Sequence, residues 1–233
     1  MADSLLQKAG YECATKLPIH PDKMIPDIHC HQVEEVASFP YSPRQCFYKT
    51  HFSPAQMALV LGKECSHKMR YVYLYRNPED ALVSYYFFKL RYQETRDIAD
   101  AGPDDFCLNE LGNWIQHARD ALSHSLSFEQ VYLLRYEDLH KETSKTLGKM
   151  WRFLEIDIGS EICLRASDHM RFDALQKLEI ENDSKKSRVR FFRKGRIGNA
   201  VEELKPETID AIRAKTSDLM AELDCFSLNA PKM

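Results

Sequence analysis

Three things are scarce in this chain, and each absence excludes a class of function. Excess charge is the first: a formal net charge of −3 over 233 residues gives no electrostatic footprint for nucleic acid or a broad membrane surface, so its cations must act locally. Long apolar runs are the second: no stretch would cross a bilayer, and no signal-peptide pattern occurs. Paired cysteines are the third. The seven cysteines, at 13, 30, 46, 65, 107, 163 and 225, are odd in number and lack CxxC spacing, which excludes a disulfide framework and a zinc ribbon. A reduced thiol set and a cytoplasmic location are the expectation. His29-Cys30-His31 lacks a spaced second pair, so no metal is expected. GxxxxGK[ST] is also missing, which counts against a small-molecule kinase of the nucleoside-phosphate-binding folds. With no repeat, no long linker and 44% hydrophobic residues, residues 1–233 read as a single domain with one α/β core.

What is present centres on Tyr71-Val-Tyr-Leu-Tyr-Arg-Asn-Pro-Glu-Asp-Ala-Leu-Val-Ser-Tyr-Tyr-Phe-Phe88. A β-prone run delivers Arg76 to a strand end, Asn77 and Pro78 supply a helix cap and a first-turn proline, and an apolar helix follows. Ligands of open α/β sheets gather beyond such strand ends. Arg76 is therefore a candidate phosphate ligand and Ser84, two turns on, a candidate hydroxyl partner; a surface arginine and a packing serine is the plainer alternative. Glu79 and Asp80 suit the helix dipole but would repel an anion docking end-on, so a phosphate should lie alongside the helix.

The remaining pattern reads as follows. Residues 1–10 are helical, 11–27 a Pro-broken strand or loop, 45–50 a strand and 54–62 a short helix. A strand at 70–75 precedes a helix at 78–92 and a mobile loop at 96–105 bearing Gly102-Pro103. A helix at 106–126 carries Leu108, Leu111, Ile115, Ala118 and Leu122 as its apolar stripe. A strand at 131–136 and a helix at 141–154, with Leu147, Met150, Trp151 and Leu154, come next. One or two helices at 160–178, a basic loop at 182–190 and a helix at 206–223 complete the chain. Strands alternating with helices imply a three-layer α/β sandwich around a parallel sheet.

Three segments in order resemble the cytosolic, PAPS-dependent sulfotransferases (PAPS is 3′-phosphoadenosine 5′-phosphosulfate). Tyr75-Arg-Asn-Pro-Glu-Asp-Ala-Leu-Val-Ser-Tyr-Tyr resembles the segment that holds the 3′-phosphate, Lys49-Thr50-His51 the strand end bearing the catalytic base, and Phe191-Phe-Arg-Lys-Gly-Arg-Ile-Gly198 the loop closing over the nucleotide. Leu133-Leu-Arg-Tyr-Glu-Asp-Leu139 is a weaker echo. The resemblance covers about residues 44 to 212. It implies a P-loop-NTPase-like sulfotransferase fold, His51 as base, Lys49 as helper at the transferring group, and Arg76, Ser84, Arg193, Lys194 and Gly195 around the 3′-phosphate. Tyr136 and Phe191 would lie on the adenine, and a small-molecule acceptor would complete the reaction. Taken alone, a strand-end histidine is more often structural or surface, and a strand lysine is as readily solvent-facing.

The sequence also departs from the family. The opening strand and Tyr-Pro-Lys-Ser-Gly-Thr-like loop that wraps the 5′-phosphosulfate are absent, and the first residues read like the tail of the helix that follows that loop. The expectation is an N-terminally incomplete domain, a fragment or shortened isoform. A non-catalytic relative that binds 3′,5′-ADP (PAP) is the alternative. After Gly198 the chain runs Asn199-Ala200 instead of Asp-Trp, and the usual dimer contact is not found, which leaves a homodimer open. Met170-Arg171-Phe172 matches the family's Thr-Ser-Phe segment only at its phenylalanine. The acidic pairs Glu34-Glu35 and Asp104-Asp105 read as solvated surface.

Overall fold

The computed structural model describes residues 47–61, 69–93, 96–127, 130–182 and 190–228; the elements expected at 1–10, 11–27 and 183–189 lie outside these. Helix α1 is Pro54–Leu61, strand β1 Tyr71–Tyr75, helix α2 Pro78–Gln93, helix α3 Arg96–Ser127 and strand β2 Val131–Arg135. Then come α4 (Tyr136–Lys141), α5 (Thr143–Phe153), α6 (Ser160–His169), α7 (Phe172–Asn182), a 3-10 turn (Asn199–Glu202) and α8 (Pro206–Leu228). β1 and β2 pair in a small parallel sheet, giving an α/β fold. Tyr132, Leu133 and Leu134 of β2 are buried in succession, as a parallel strand covered on both faces requires. Among the described residues no helix is long and apolar enough to cross a membrane.

The chain divides into two compact units, described separately. The first holds Met1–Tyr73, Asp120–Tyr132 and Asp138–His169. Its α1 opens on a reciprocal cap: the Gln56 N–H donates to Ser53 Oγ at 3.3 Å, and the Ser53 N–H to Gln56 Oε1 at 2.8 Å. Ser-Pro-Ala-Gln thus supplies the cap, the first-turn proline and the reaching glutamine in four residues. Leu147, Met150 and Trp151 are buried on α5 as the stripe requires, with Cys163 and Ala166 on α6. Phe47 meets Trp151 edge-on, ring centroids 5.9 Å apart.

The second unit holds Leu74–Arg119, Leu133–Glu137 and Met170–Met233. Leu82, Val83, Tyr86, Phe106, Cys107, Leu111, Ala200, Leu204, Ile209 and Ile212 form its core. Two expectations are corrected here. Residues 96–105 are helical, with the chain bending at Gly102 (φ 72°, ψ 173°), a conformation that glycine adopts without a Cβ penalty. Leu108 is exposed while Phe106 and Cys107 are buried, and Leu111, Ala118 and Leu122 keep the expected buried stripe; Cys107, four residues before Leu111, takes the inward place one turn earlier. Burial pushes the Cys107 thiol up to about 12, so it packs as a small apolar group. Asp104 is no free surface acid: the Lys205 N–H donates to it at 3.0 Å. Burial raises its pKa, but hydrogen bonds from Thr208 and Lys205 outweigh that and hold it below the ordinary value.

Trp151 has no exposed surface and its indole N–H has no partner, so its contribution is packing alone. Trp151→Ala should cost about 3–5 kcal/mol, read as a lowered urea midpoint with the slope unchanged.

Candidate functional site

Arg76 leaves β1 and is pinned before α2 begins. Its Nη2 donates to Asp80 Oδ2 at 3.2 Å and to the Arg196 carbonyl at 3.1 Å. Its guanidinium lies 4.6 Å from the Tyr136 ring centroid, a cation–π distance. The buried Nε has no hydrogen-bond partner. Asn77 does not cap α2 with its side chain as expected: Oδ1 accepts from Arg135 Nη2 at 3.1 Å, and the Asn77 N–H donates to Glu137 Oε1 at 3.0 Å. The charge partner Arg135 outcompetes the helix N–H groups for that oxygen.

The two first-turn acids are each engaged by donors from distant parts of the chain. Glu79 accepts Arg213 Nε and Nη2, both at 2.9 Å. Asp80, 2% exposed, accepts the Gly198 N–H at 2.7 Å and the Ala200 N–H at 2.9 Å. The basic turn is thereby fastened to the start of α2, beside Arg76.

The loop at 190–203 is organised by carboxylates. Glu179 on α7 accepts the N–H groups of Phe191 and Phe192 at 2.5 and 2.9 Å and pairs with Arg91 at 3.3 Å. Gly195 has φ +59°, and a Cβ there would stand 2.0 Å from Phe172 Cδ2. Phe172, the one residue kept from the Thr-Ser-Phe pattern, therefore packs on the glycine of Arg193-Lys194-Gly195. The cations are also satisfied internally. Arg193 pairs with Glu203 and lies 3.8 Å from the Phe87 ring centroid. Lys194 reaches Glu202 at 2.7 Å and Glu203 at 2.6 Å, and Arg196 pairs with Glu202. Hydrogen bonding from Lys194 holds the Glu202 carboxyl low. For Glu203, burial acts upward, but bonds from Lys194 and Arg193 bring its pKa below the ordinary range.

Of the residues named from sequence, the second unit brings Arg76 and Tyr136 together, with the turn that follows Arg193, Lys194 and Gly195. Ser84 is exposed on α2. Phe191 is 53% exposed, with Phe192 and Phe88 at 5.0 and 6.5 Å. Lys49 and His51 belong to the first unit and are exposed. Within 47–50 only Lys49 makes a strand bridge, shorter than the strand expected at 45–50; residues 45 and 46 lie outside the described chain. His51 follows in a bend that Thr50 shapes by accepting the Phe52 N–H at 3.0 Å. Among the described residues no cluster of His, Cys, Asp and Glu could hold a metal. Sequence reasoning missed Asp80 and Glu137 as anchors, although the Asn-Pro-Glu-Asp and Tyr-Glu-Asp strings contained them. Glu179 and the Glu202–Glu203 pair carried no signal.

The fold has solved counterparts. One is a crystal structure of mouse sulfotransferase SULT7A1 complexed with PAP (TM-score 0.67, 20% identity, covering 90% of this chain and 80% of that one). Another is a retinol dehydratase in complex with androsterone and PAP (TM-score 0.63, 18% identity, 80% and 56% covered). The architecture is the α/β sulfotransferase fold. Residues 10–224 match the sulfotransferase domain, and the chain belongs to that family. It is 30% identical over 191 residues to cytosolic sulfotransferase 7 of Arabidopsis thaliana, covering 74% of this chain and 56% of that protein. It is also 33% identical over 121 residues to a 3-alpha-hydroxysteroid sulfotransferase of Cavia porcellus, covering 50% and 42%. The chain thus spans about half the length of these curated relatives.

Gly195→Ala should loosen the loop because its Cβ meets Phe172, and Phe172→Ala should restore part of the loss; proteolysis within 190–198 reads both. Because the Glu203 pKa is depressed in the folded chain, its stabilisation is present above the ordinary value of 4.5. It is lost as pH falls through the lower folded value. Amide protection factors at 193–203 should therefore fall below about pH 4.5 before global unfolding, and Glu203→Gln should flatten that dependence.

Proposed function

We propose that the protein to which this chain belongs moves a sulfuryl group from PAPS to a hydroxyl or amine of a small-molecule acceptor and releases PAP. The single observation that carries this reading is the gathering of Arg76, Tyr136 and the 196–200 turn around one Asp80-centred anchor in a sulfotransferase-domain chain. The PAP held by the mouse counterpart supports the nucleotide half. Its acceptor half draws on the steroid sulfotransferase relative and the androsterone in the retinol dehydratase complex.

In this reading the 3′-phosphate lies alongside α2, with Arg76, Ser84, Arg193, Lys194 and the backbone at Gly195 as donors. The phosphate takes over cations that Glu202 and Glu203 neutralise in the free protein. Tyr136 and Phe191 offer flat faces to the adenine. The acceptor oxygen attacks sulfur in line, its proton passes to His51, and the bond from sulfur to the 5′-phosphate oxygen breaks as PAP leaves. Lys49 steadies charge at the transferring group. The reaction consumes no metal and no redox equivalent, and the chain works as a cytoplasmic enzyme.

Calorimetry of the folded chain with PAP, followed by turnover of PAPS with phenols, steroids, retinol and amines, tests this. Saturable binding is expected. His51→Ala should lower turnover by roughly 10²–10⁴-fold while PAP affinity shifts by less than about threefold. A folded chain that takes up no PAP overturns the reading. PAP binding without turnover reduces it to a non-catalytic nucleotide binder.

A further inference from the structure

We infer that Asp80 is a positioning residue that ties the two halves of the anion clamp together, so that Arg76 and the glycine turn act as one unit on a single phosphate. This inference rests on the proposed nucleotide-binding reading. The sequence gives Asp80 no such role, since a first-turn acid is ordinarily explained by the helix dipole.

Each link is a named hydrogen bond. Asp80 Oδ2 accepts from Arg76 Nη2 at 3.2 Å and from the Gly198 N–H at 2.7 Å, while Oδ1 accepts the Ala200 N–H at 2.9 Å. Arg76 Nη2 closes the ring by donating to the Arg196 carbonyl at 3.1 Å. Gly198 lies at φ +80°, a left-handed conformation that a Cβ would strain. The Asp80 side chain is 1% exposed, so water cannot replace it without opening the core that Ala200 and Leu204 help to build. With Nη2 engaged twice and the Tyr136 ring 4.6 Å from its guanidinium carbon, the guanidinium is held in one orientation.

Removing the carboxylate acts in two directions. It takes a neutralising charge away from Arg76, which favours anion binding, and it leaves two turn N–H groups without their acceptor, which disorders the turn. The second effect dominates because Asp80 and Ala200 are buried, where an unmet donor costs most. Asp80→Asn is the sharp variant. It keeps the shape and one oxygen, and sets an amide N–H₂ against the donors that face Oδ2.

The test is a double-mutant cycle with Arg76→Ala on the full chain, read as PAP affinity by calorimetry. Asp80→Asn and Arg76→Ala should each weaken PAP by at least about tenfold, and together by no more than about 30-fold, well short of the roughly 100-fold of independent losses. Losses that multiply, or an unchanged affinity in Asp80→Asn, overturn the bridge. Should Asp80→Asn fail to fold, Asp80→Ser carries the same cycle. Should that fail too, Gly198→Ala, which strains the turn and leaves the carboxylate in place, must show the same shortfall with Arg76→Ala. If wild-type chain folds and binds no PAP, the nucleotide-binding reading itself falls. If wild type binds and the cycle is additive, only the bridge falls.

Discussion

Burying a carboxylate is costly unless every lone pair that faces inward finds a donor, and Asp80 meets that condition with a guanidinium and two backbone amides. The arrangement fixes more than one aspartate. It sets where α2 starts relative to the turn after Gly195, holds Ala200 at the edge of the core, and gives Arg76 one orientation. A neutral side chain of this size would satisfy the amides less well and would leave the arginine to swing. The net gain is modest, since charge-assisted bonds contribute about 1.5–3 kcal/mol each before desolvation is subtracted. What it secures is position.

The neighbouring loop solves a related problem differently. Arg193, Lys194 and Arg196 share Glu202 and Glu203, so three cations meet two carboxylates within eleven consecutive residues. Left alone, like charges this close would splay the loop by mutual repulsion. The exposed members of the set, such as Arg196 with Glu202, add little to stability. Arg193 differs, because its guanidinium rests on Phe87 as well as on Glu203, so packing and charge act together. The loop is thus held by its own ion pairs and by the packing of Arg193 on Phe87.

Most of the fold was legible because its signals are local. Ser53-Pro-Ala-Gln56 begins a helix by capping chemistry, the Leu147–Trp151 stripe sets a buried face, and Pro206 marks the start of α8; each needs only near neighbours. The bend at Gly102 was read as a loop because Gly-Pro ordinarily ends helices, whereas here a second helical segment follows the bend directly, with Phe106 and Cys107 inward. At the site, Arg76 and the Arg193–Gly195 loop stood out as motif residues. The anchors did not, since Glu179, Glu202 and Asp224 are unremarkable glutamates and aspartates until folding brings distant donors to them. Asp104 shows the same limit: its partners Lys205 and Thr208 lie a hundred residues away in sequence, and an acidic pair reads as solvated surface without them.

α8 explains why strand ends so rich in polar groups are tolerated. Arg213 engages Glu79, Asp224 accepts Tyr75 Oη at 2.9 Å and Arg135 Nη1 at 2.7 Å, and Ser227 Oγ donates to the Leu133 carbonyl at 3.1 Å. From 213 to 224 is eleven residues, about three turns, and 227 follows at three, so all three side chains project from one face. That face therefore meets the first turn of α2, the end of β1 and β2 with a single rigid element. Desolvation raises the Tyr75 phenol far above its ordinary range, keeping it a neutral donor to Asp224 at any physiological pH. Because Asn77, directly after Arg76, is tied to Arg135 and Glu137 in the same network, the helix and the clamp share one frame. A change on α8 that touches neither Arg76 nor the basic loop would still reach them through Arg135.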